Sequence, residues 1–197
     1  MKSSYSNNNA RRLVILGIFI ALIIIQSWVP FLGFITIGPI AMTIIPITVI
    51  LSTLWLGTKD GAILGLVFGL NSLVRAWLIG NPVERMIFTS PLVSVLPRIL
   101  MPILLGLIIK YILKHLSAPT KGAIAGFLGS LLNTVLVLGA IGIFKPTEYI
   151  GAIEGANVNQ LWPILWGIVT ANGVPEAILA TIVTPIIYVA VNRSRRQ

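Results

Sequence analysis

The chain has 197 residues, of which 56% are hydrophobic and only 10% are charged, and its mean hydropathy is +0.98. A soluble domain of this size carries roughly 25% charged residues, so the composition excludes an ordinary soluble protein and indicates an integral membrane protein. The net charge of +9 does not indicate nucleic-acid binding, because the basic residues stand mostly at the ends of apolar runs. One His and no Cys argue against a metal site and exclude disulfides.

Six apolar runs are long enough to cross a bilayer, which takes about 20 residues. No small-residue cleavage site follows the polar, basic segment 1–12, so we expect the first helix to remain as an anchor. The predicted spans are 13–28, 40–56, 61–79, 91–112, 122–144 and 174–191. For the first span, an end at Phe34 is the alternative.

The last apolar stretch, 161–191, is too long for one straight span. The sequence 172-NGVP-175 is predicted to interrupt it, because Gly and Pro break helices. We therefore interpret 161-LWPILWGIVTA-171 as a capping or re-entrant segment on the outer side, with part of the sixth span as the alternative.

The distribution of basic residues predicts the orientation of the bundle. One side carries Lys2, Arg11, Arg12, Lys59, Lys110, Lys114, Lys121, Arg193, Arg195 and Arg196. The loops on the other side carry only Arg85 and Lys145, so the positive-inside rule places both termini in the cytoplasm. The fold class is therefore an all-α bundle of six transmembrane helices, forming a single domain over 1–197 with a basic cytoplasmic tail at 192–197.

Ionisable side chains inside the predicted spans are candidates for a site, because a charge within a bilayer is costly. Arg75, Arg98 and Glu176 come from three different spans and all fall in their outer third; Arg98 lies ~10 Å below the outer end. Further candidates are Asn71, Asn133, Asn172, Trp77 and Trp166. Two Arg against one Glu predict an outward-facing pocket for a small anionic or zwitterionic molecule.

Each of these residues also has a structural interpretation. Arg75 could snorkel to the interface, Arg98 could pair with Glu176, and Glu176 could be favoured by the dipole at a helix start. Tryptophans often form an interfacial belt, and an Asn within a span often bonds a neighbouring helix.

Gly17 and Ala21, in 17-GIFIA-21, form a pair of small residues four apart, which lets another helix approach closely. Similar pairs occur in 61-GAILG-65 and 122-GAIAG-126. For each pair, packing inside the bundle is the alternative to binding a partner.

Four stretches carry a resemblance to a known family: 46-PITVILSTLWLGTKDGAILGLVFGLNSLV-74, 97-PRILMPILLGLIIKYI-112, 126-GFLGSLLNTVLVLG-139 and 173-GVPEAILATIVTP-185. Together with the chain's size, its six predicted spans and the lack of a phosphate-binding loop ending in Lys-Ser/Thr, they make the chain resemble the substrate-binding S component of energy-coupling factor (ECF) vitamin transporters. The resemblance covers nearly the whole chain and is strongest to the pantothenate-specific branch.

The resemblance implies a bacterial plasma-membrane protein that is not an enzyme and that binds a water-soluble vitamin from outside. It further implies docking on a membrane coupling protein (T component) and two cytoplasmic ATPases, which hydrolyse the ATP, so this chain needs no cofactor. The docking motif of the family's first helix is usually Ala-xxx-Ala, and Gly17 and Ala21 occupy the matching positions. The segments 30–39 and 80–90 would act as gates over the site.

Pantothenate carries a carboxylate, an amide and hydroxyls, so the resemblance assigns the carboxylate to Arg98 and the other groups to Asn71, Asn133, Asn172 and Glu176. The pocket residues do not exclude hydroxymethylpyrimidine, pyridoxine or folate. A membrane enzyme would need a nucleophile–base or metal constellation that this composition hardly supplies. A standalone secondary carrier is a further alternative, although carriers often show inverted repeats, and none is evident here.

Overall fold

Helices make up almost all of the computed structural model, which describes residues 2–29, 32–37, 40–153, 155 and 157–194. The elements are α1 (Lys2–Trp28), β1 (Phe34–Ile37), β2 (Ile40–Thr43), α2 (Ile45–Leu56), α3 (Thr58–Leu78), α4 (Pro82–Phe88), α5 (Pro91–Ser94), α6 (Leu96–Tyr111), α7 (Ala118–Phe144), α8 (Pro146–Gly151), α9 (Leu161–Ile168) and α10 (Val174–Ser194). A 3₁₀ turn, Val158–Gln160, precedes α9, and a π-helical turn, Val169–Gly173, joins α9 to α10.

Five helical segments of the described chain are long and apolar enough to cross a membrane. They are Asn9–Trp28, Thr58–Leu78, Pro91–Tyr111, Ala118–Phe144 and Val158–Arg193. Each corresponds to one of the predicted spans, so the expected class of a helical integral membrane protein is confirmed at this level.

The predicted second span, 40–56, is wrong in its first part. Residues 40–43 form a strand, and the helix begins only at Ile45, with Pro46 in its first turn, where the missing backbone N–H costs no hydrogen bond. The helix ends at Gly57, whose φ of 98° is a conformation that favours glycine.

The short helix α2 lies at the centre of the bundle. Every residue from Ile45 to Thr53 is buried, and α2 packs against α1, α3, α6, α7 and α10. Its 12 residues rise ~18 Å, less than the ~30 Å hydrocarbon core of a bilayer. The surrounding helices, rather than lipid, therefore cover most of its apolar surface.

An antiparallel hairpin, β1 with β2, departs from the all-α expectation. Its register pairs Phe34 with Thr43 and Ile37 with Ile40. The first helix therefore does not continue to Phe34: α1 ends at Trp28, shortly before Pro30 in the sequence. The β-branched residues that follow favour extended backbone, and a residue before proline is disfavoured in a helix.

The predicted interruption at 172–175 is also wrong. The chain stays helical from Leu161 to Ser194, and the N–H of Val174 donates to the carbonyl of Val169, five residues earlier. This π-helical turn absorbs Gly173 and Pro175 without ending the helix. The segment 161–171 is thus part of one long helix of which, at ~1.5 Å per residue, only a portion can lie within the bilayer.

Glycines let two pairs of helices approach closely. A Cβ added to Gly65 would collide with the carbonyl oxygen of Arg98 on α6, and one added to Gly126 would collide with the carbonyl oxygen of Ala180 on α10. The small-residue pairs at 61–65 and 122–126 therefore serve packing inside the bundle.

We expect Gly126→Ala to destabilise the protein by about 1–3 kcal/mol, because overpacking forces α7 away from α10. The matched control is Gly139→Ala on the same helix, where a Cβ meets no atom within 4 Å. That control should be neutral or slightly stabilising, since Ala is a better helix former than Gly. Thermal unfolding of both variants in one detergent checks the prediction, and equal midpoints would contradict it.

Candidate functional site

A cavity of about 120 Å³ lies where the β-hairpin, the last turns of α3, the helix α4 and the start of α6 meet. Two phenylalanines, Phe68 and Phe88, form part of its apolar wall. The polar side of the lining consists of Ser27, Thr43, Asn71, Ser72, Arg75, Glu84 and Arg98.

Arg98 is the most deeply buried charged group of this lining, with 7% of the residue exposed. Its guanidinium carbon lies 5.4 Å from the ring centroid of Phe68 and 5.6 Å from that of Phe88, so both rings offer the cation favourable π faces. Phe68 belongs to the main apolar cluster of the bundle, and Phe88 packs against a second cluster around α4, α7 and α9. Arg98 thus lies between the two clusters.

The neighbouring proline explains a hydrogen bond that the Arg98 side chain makes. Pro97 has no N–H, so it cannot bond the carbonyl four residues earlier, which belongs to Val93. Arg98 Nη1 donates to that carbonyl oxygen at 3.0 Å. Pro97 thus leaves the carbonyl of Val93 without a backbone donor. That carbonyl holds the Arg98 side chain in a fixed position.

The Nε of Arg98 is buried and has no hydrogen-bond partner within the described ranges. Leaving a buried donor unsatisfied is unfavourable, and more so for a charged group. A guanidinium fork matches a carboxylate in two-point geometry. The arrangement is chemically suited to accept an anionic oxygen from a ligand.

Glu176 links the hairpin to α10 instead of pairing directly with Arg98. The backbone N–H of Thr43 donates to Glu176 Oε1 at 2.7 Å, and Glu176 is 9% exposed. Across the residues that the structure describes, no nitrogen of Arg98 lies within 4.0 Å of a Glu176 carboxylate oxygen, although the two charges interact electrostatically. The direct structural pair considered from the sequence is therefore absent.

Asn71 and Arg75 lie one turn apart on α3 and both line the cavity. Asn71 Oδ1 accepts a hydrogen bond from Trp28 Nε1 at 2.9 Å, and its Nδ2 donates to the carbonyl of Val67. Asn71 therefore joins the end of α1 to the cavity wall.

Five predicted site residues do not line this cavity, Glu176 among them. Asn133 is buried on α7, and its Oδ1 lacks a partner among the described atoms. Asn172 is partly exposed in the π-helical turn. Trp77 and Trp166 are 62% and 63% exposed on the bundle surface, an arrangement that fits the interfacial-belt interpretation better than a ligand wall.

Sequence reasoning missed several lining residues. Phe68 and Ser72 lie seven and three positions before Arg75, on one face of α3, so helical spacing could have found them. Glu84 belongs to the capping box of α4: the Asn81 side chain accepts from its N–H, and its Oε2 accepts from the Asn81 N–H at 3.0 Å. The charged residues of the lining are thus Arg75, Arg98 and Glu84, so the predicted ratio of two Arg to one Glu holds with Glu84 in place of Glu176.

The pair Gly17 and Ala21 lies on the outer surface of α1. A Cβ added to Gly17 meets no atom within 4 Å, whereas Phe19 and Ile23 on the opposite face are buried. Unlike the glycine pairs of α3 and α7, this pair is not covered by another described element of the bundle.

The fold and the cavity define a helical, multi-pass membrane protein with a small polar cavity at one end of its bundle. The family described as "ECF transporter, substrate-specific component" matches residues 11–188. The chain belongs to this family. It is therefore a transporter component of the bacterial cell membrane and not an enzyme.

Two relatives are similar over nearly their whole lengths. A "Pantothenate transporter PanT" of Leuconostoc mesenteroides subsp. mesenteroides is 34% identical over 194 residues, which cover 94% of this chain and 91% of the relative. A "Pantothenic acid transporter PanT" of Lactococcus lactis subsp. cremoris is 32% identical over 202 residues, which cover 95% of this chain and 97% of the relative.

Proposed function

We propose that the chain captures pantothenate from outside the cell for ATP-driven uptake. The observation that carries the proposal is Arg98, a buried guanidinium at the cavity whose Nε has no hydrogen-bond partner among the residues that the structure describes. The names of the two relatives, at 34% and 32% identity, support the choice of this vitamin.

The cavity offers complementary groups for the whole ligand. Arg98 would bind the carboxylate, with Arg75 as a second cation at the rim. Asn71 would meet hydroxyls or the amide, together with Ser72 and Thr43, and the geminal methyl groups would pack on Phe68 and Phe88.

The other predicted ligands keep weaker roles in the proposal. Asn133 offers an unsatisfied oxygen that would accept from the amide or a hydroxyl, provided that bound ligand extends the cavity toward α7. Glu176 acts through Thr43 on the hairpin, and Asn172 would need a different conformation to reach the ligand. We assign Trp77 and Trp166 to the membrane surface.

The proposed topology has six crossings and both termini in the cytoplasm. The crossings are α1, β2 with α2, α3, α5 with α6, α7, and α9 with α10, all in one domain over 1–197. The cavity then faces outside, because it lies at the end of the bundle opposite the basic N-terminal segment. The exposed Gly17–Ala21 pair would dock on the membrane coupling protein, and two partner ATPases would hydrolyse ATP.

Calorimetry of the purified protein tests the proposal. Pantothenate should bind more tightly than pyridoxine, folate or hydroxymethylpyrimidine. Pantothenol, in which a neutral alcohol replaces the carboxylate, should bind about 10- to 150-fold more weakly, because a hydrogen bond to a charged group contributes about 1.5–3 kcal/mol. Tighter binding of another vitamin would contradict the substrate, and equal affinity for pantothenol would contradict the role of Arg98.

A further inference from the structure

A two-point ion pair joins α1 to α3 at the end of the bundle remote from the cavity. Arg12 Nε donates to Asp60 Oδ2 and Arg12 Nη2 donates to Asp60 Oδ1, both at 2.6 Å. Asp60 is the only aspartate of the chain, lies in the first turn of α3, and has a side chain that is 1% exposed. The two residues are 48 positions apart in the sequence.

The ion pair has no part in the cavity. Ser27, the residue of α1 that lines the cavity, is fifteen positions after Arg12, which corresponds to ~22 Å along a helix. Neither Arg12 nor Asp60 lines the cavity. A buried carboxylate with a dedicated arginine therefore needs an explanation other than substrate binding.

Arg12 lies on the face of α1 that packs into the bundle, although 50% of its side chain is exposed. Phe19 and Ile23, seven and eleven residues later, are buried, and at about 100° per residue they point within about 20° of Arg12. Gly17 and Ala21, five and nine residues later, lie ~140° and ~180° away from it. The ion pair and the open Gly17–Ala21 pair are thus on opposite faces of one helix.

Among the described residues, the other side-chain hydrogen bonds that join α1 to a neighbouring element lie near its cavity end: Thr48 Oγ1 donates to Gln26 Oε1 at 2.8 Å, and Trp28 Nε1 donates to Asn71 Oδ1 at 2.9 Å. Of the five apolar spans described, α1 buries the smallest share of its residues. A guanidinium bonded through two nitrogens to two carboxylate oxygens restricts orientation more than a single charged contact does. The position of Asp60 is in turn fixed, because it is buried at the start of α3, where a carboxylate is favoured.

We propose that Arg12 and Asp60 are positioning residues that fix the rotation of α1 about its axis. They thereby hold the Gly17–Ala21 pair toward the membrane coupling protein. The proposal rests on the proposed function, in which α1 is the docking helix.

The orientation of α1 can be measured directly, because the chain contains no cysteine that would compete for a label. Spin labels on cysteines introduced at Ile18 on α1 and Val135 on α7 would sit at exposed positions, which are 55% and 47% exposed. Electron-resonance distances in lipid nanodiscs should give one narrow distribution for the otherwise unchanged chain. Arg12→Lys keeps the charge but loses the fork, so its distribution should broaden or shift.

The same variant should separate binding from transport. In Arg12→Lys we expect pantothenate affinity to stay within about twofold, because the cavity is remote, and uptake to fall at least about fivefold. Arg11→Lys makes the same chemical change one residue earlier and should leave the label distance, affinity and uptake unchanged.

A second variant removes the ion pair without leaving a buried charge. The double change Arg12→Met with Asp60→Leu puts apolar side chains in place of both ions, which proteins often tolerate. It should bind pantothenate normally, broaden the label distances and lower uptake. Arg12→Ala alone would leave the carboxylate of Asp60 buried without its partner and could prevent folding. The double variant avoids this problem.

The outcomes distinguish this proposal from the proposed function. Unchanged label distances in both variants would overturn the positioning role. Altered distances with normal uptake would overturn the link to docking. Failure of the unmodified protein to bind pantothenate would contradict the proposed function, while the label distances would still decide whether the ion pair positions α1.

Discussion

Arg98→Ala is expected to weaken pantothenate binding at least about 100-fold, because two charge-assisted hydrogen bonds to the carboxylate are lost together. The Phe68 and Phe88 rings would remain, but they offer the anion no donor. Arg98→Lys should bind with intermediate affinity, since an ammonium keeps the charge without the fork. Calorimetry with purified protein measures both effects.

The matched control is Arg85→Ala. Arg85 is exposed on α4, bonds the carbonyl oxygen of Gly80 at 3.0 Å, and does not line the cavity. Its loss should leave the affinity unchanged. Because Arg98→Ala also frees the carbonyl of Val93, thermal unfolding must show that the variant is folded at the temperature of the titration. A folded Arg98→Ala that binds pantothenate as tightly as the unchanged chain would refute the assignment.

The long helices could be predicted because apolar runs of that length can form few other structures in a membrane protein. The hairpin could not, because strand residues such as those at 34–37 and 40–43 are as apolar as the helices around them. In a chain this hydrophobic, an apolar run alone does not separate a strand from a buried helix. The π-helical turn escaped prediction for a related reason: Gly173 and Pro175 are usual helix breakers, and only tertiary packing shows that the helix continues.

The candidate site was predictable in part. Arg98 stood out because a charge in an apolar run needs a partner or a cavity, and the structure places it at the cavity. For Trp77 and Trp166 the sequence indicates only the depth in the membrane. Depth along a helix does not specify which way a side chain faces, and both face outward. Ser72 and Phe68 lie at helical spacings from Arg75 that place them on the same face of α3. The face of the helix, in addition to the depth, is therefore needed to predict which residues line the cavity.

Gly17→Trp is expected to leave pantothenate affinity unchanged and to reduce uptake at least about tenfold. Gly17 is exposed and a Cβ on it has no neighbour within 4 Å, so an indole at this position can point away from its own bundle. It would, however, prevent another helix from approaching α1 closely. A loss of only about 1.4 kcal/mol in docking free energy is enough for a tenfold effect on complex formation. Uptake of labelled pantothenate by cells expressing the coupling module measures the effect.

The control for this variant is Gly139→Trp, because Gly139 is also an open glycine, on α7. Its uptake should be normal, which would show that bulk on the bundle surface is harmless away from α1. Normal uptake by Gly17→Trp, with binding intact, would show that docking uses another face. If the unchanged chain transported pantothenate in cells that lack the two ATPases, the chain would instead work as a standalone carrier, and the exposure of Gly17 would need a different explanation. The two variants together therefore test whether the uncovered face of α1 is a partner surface or only a lipid-facing one.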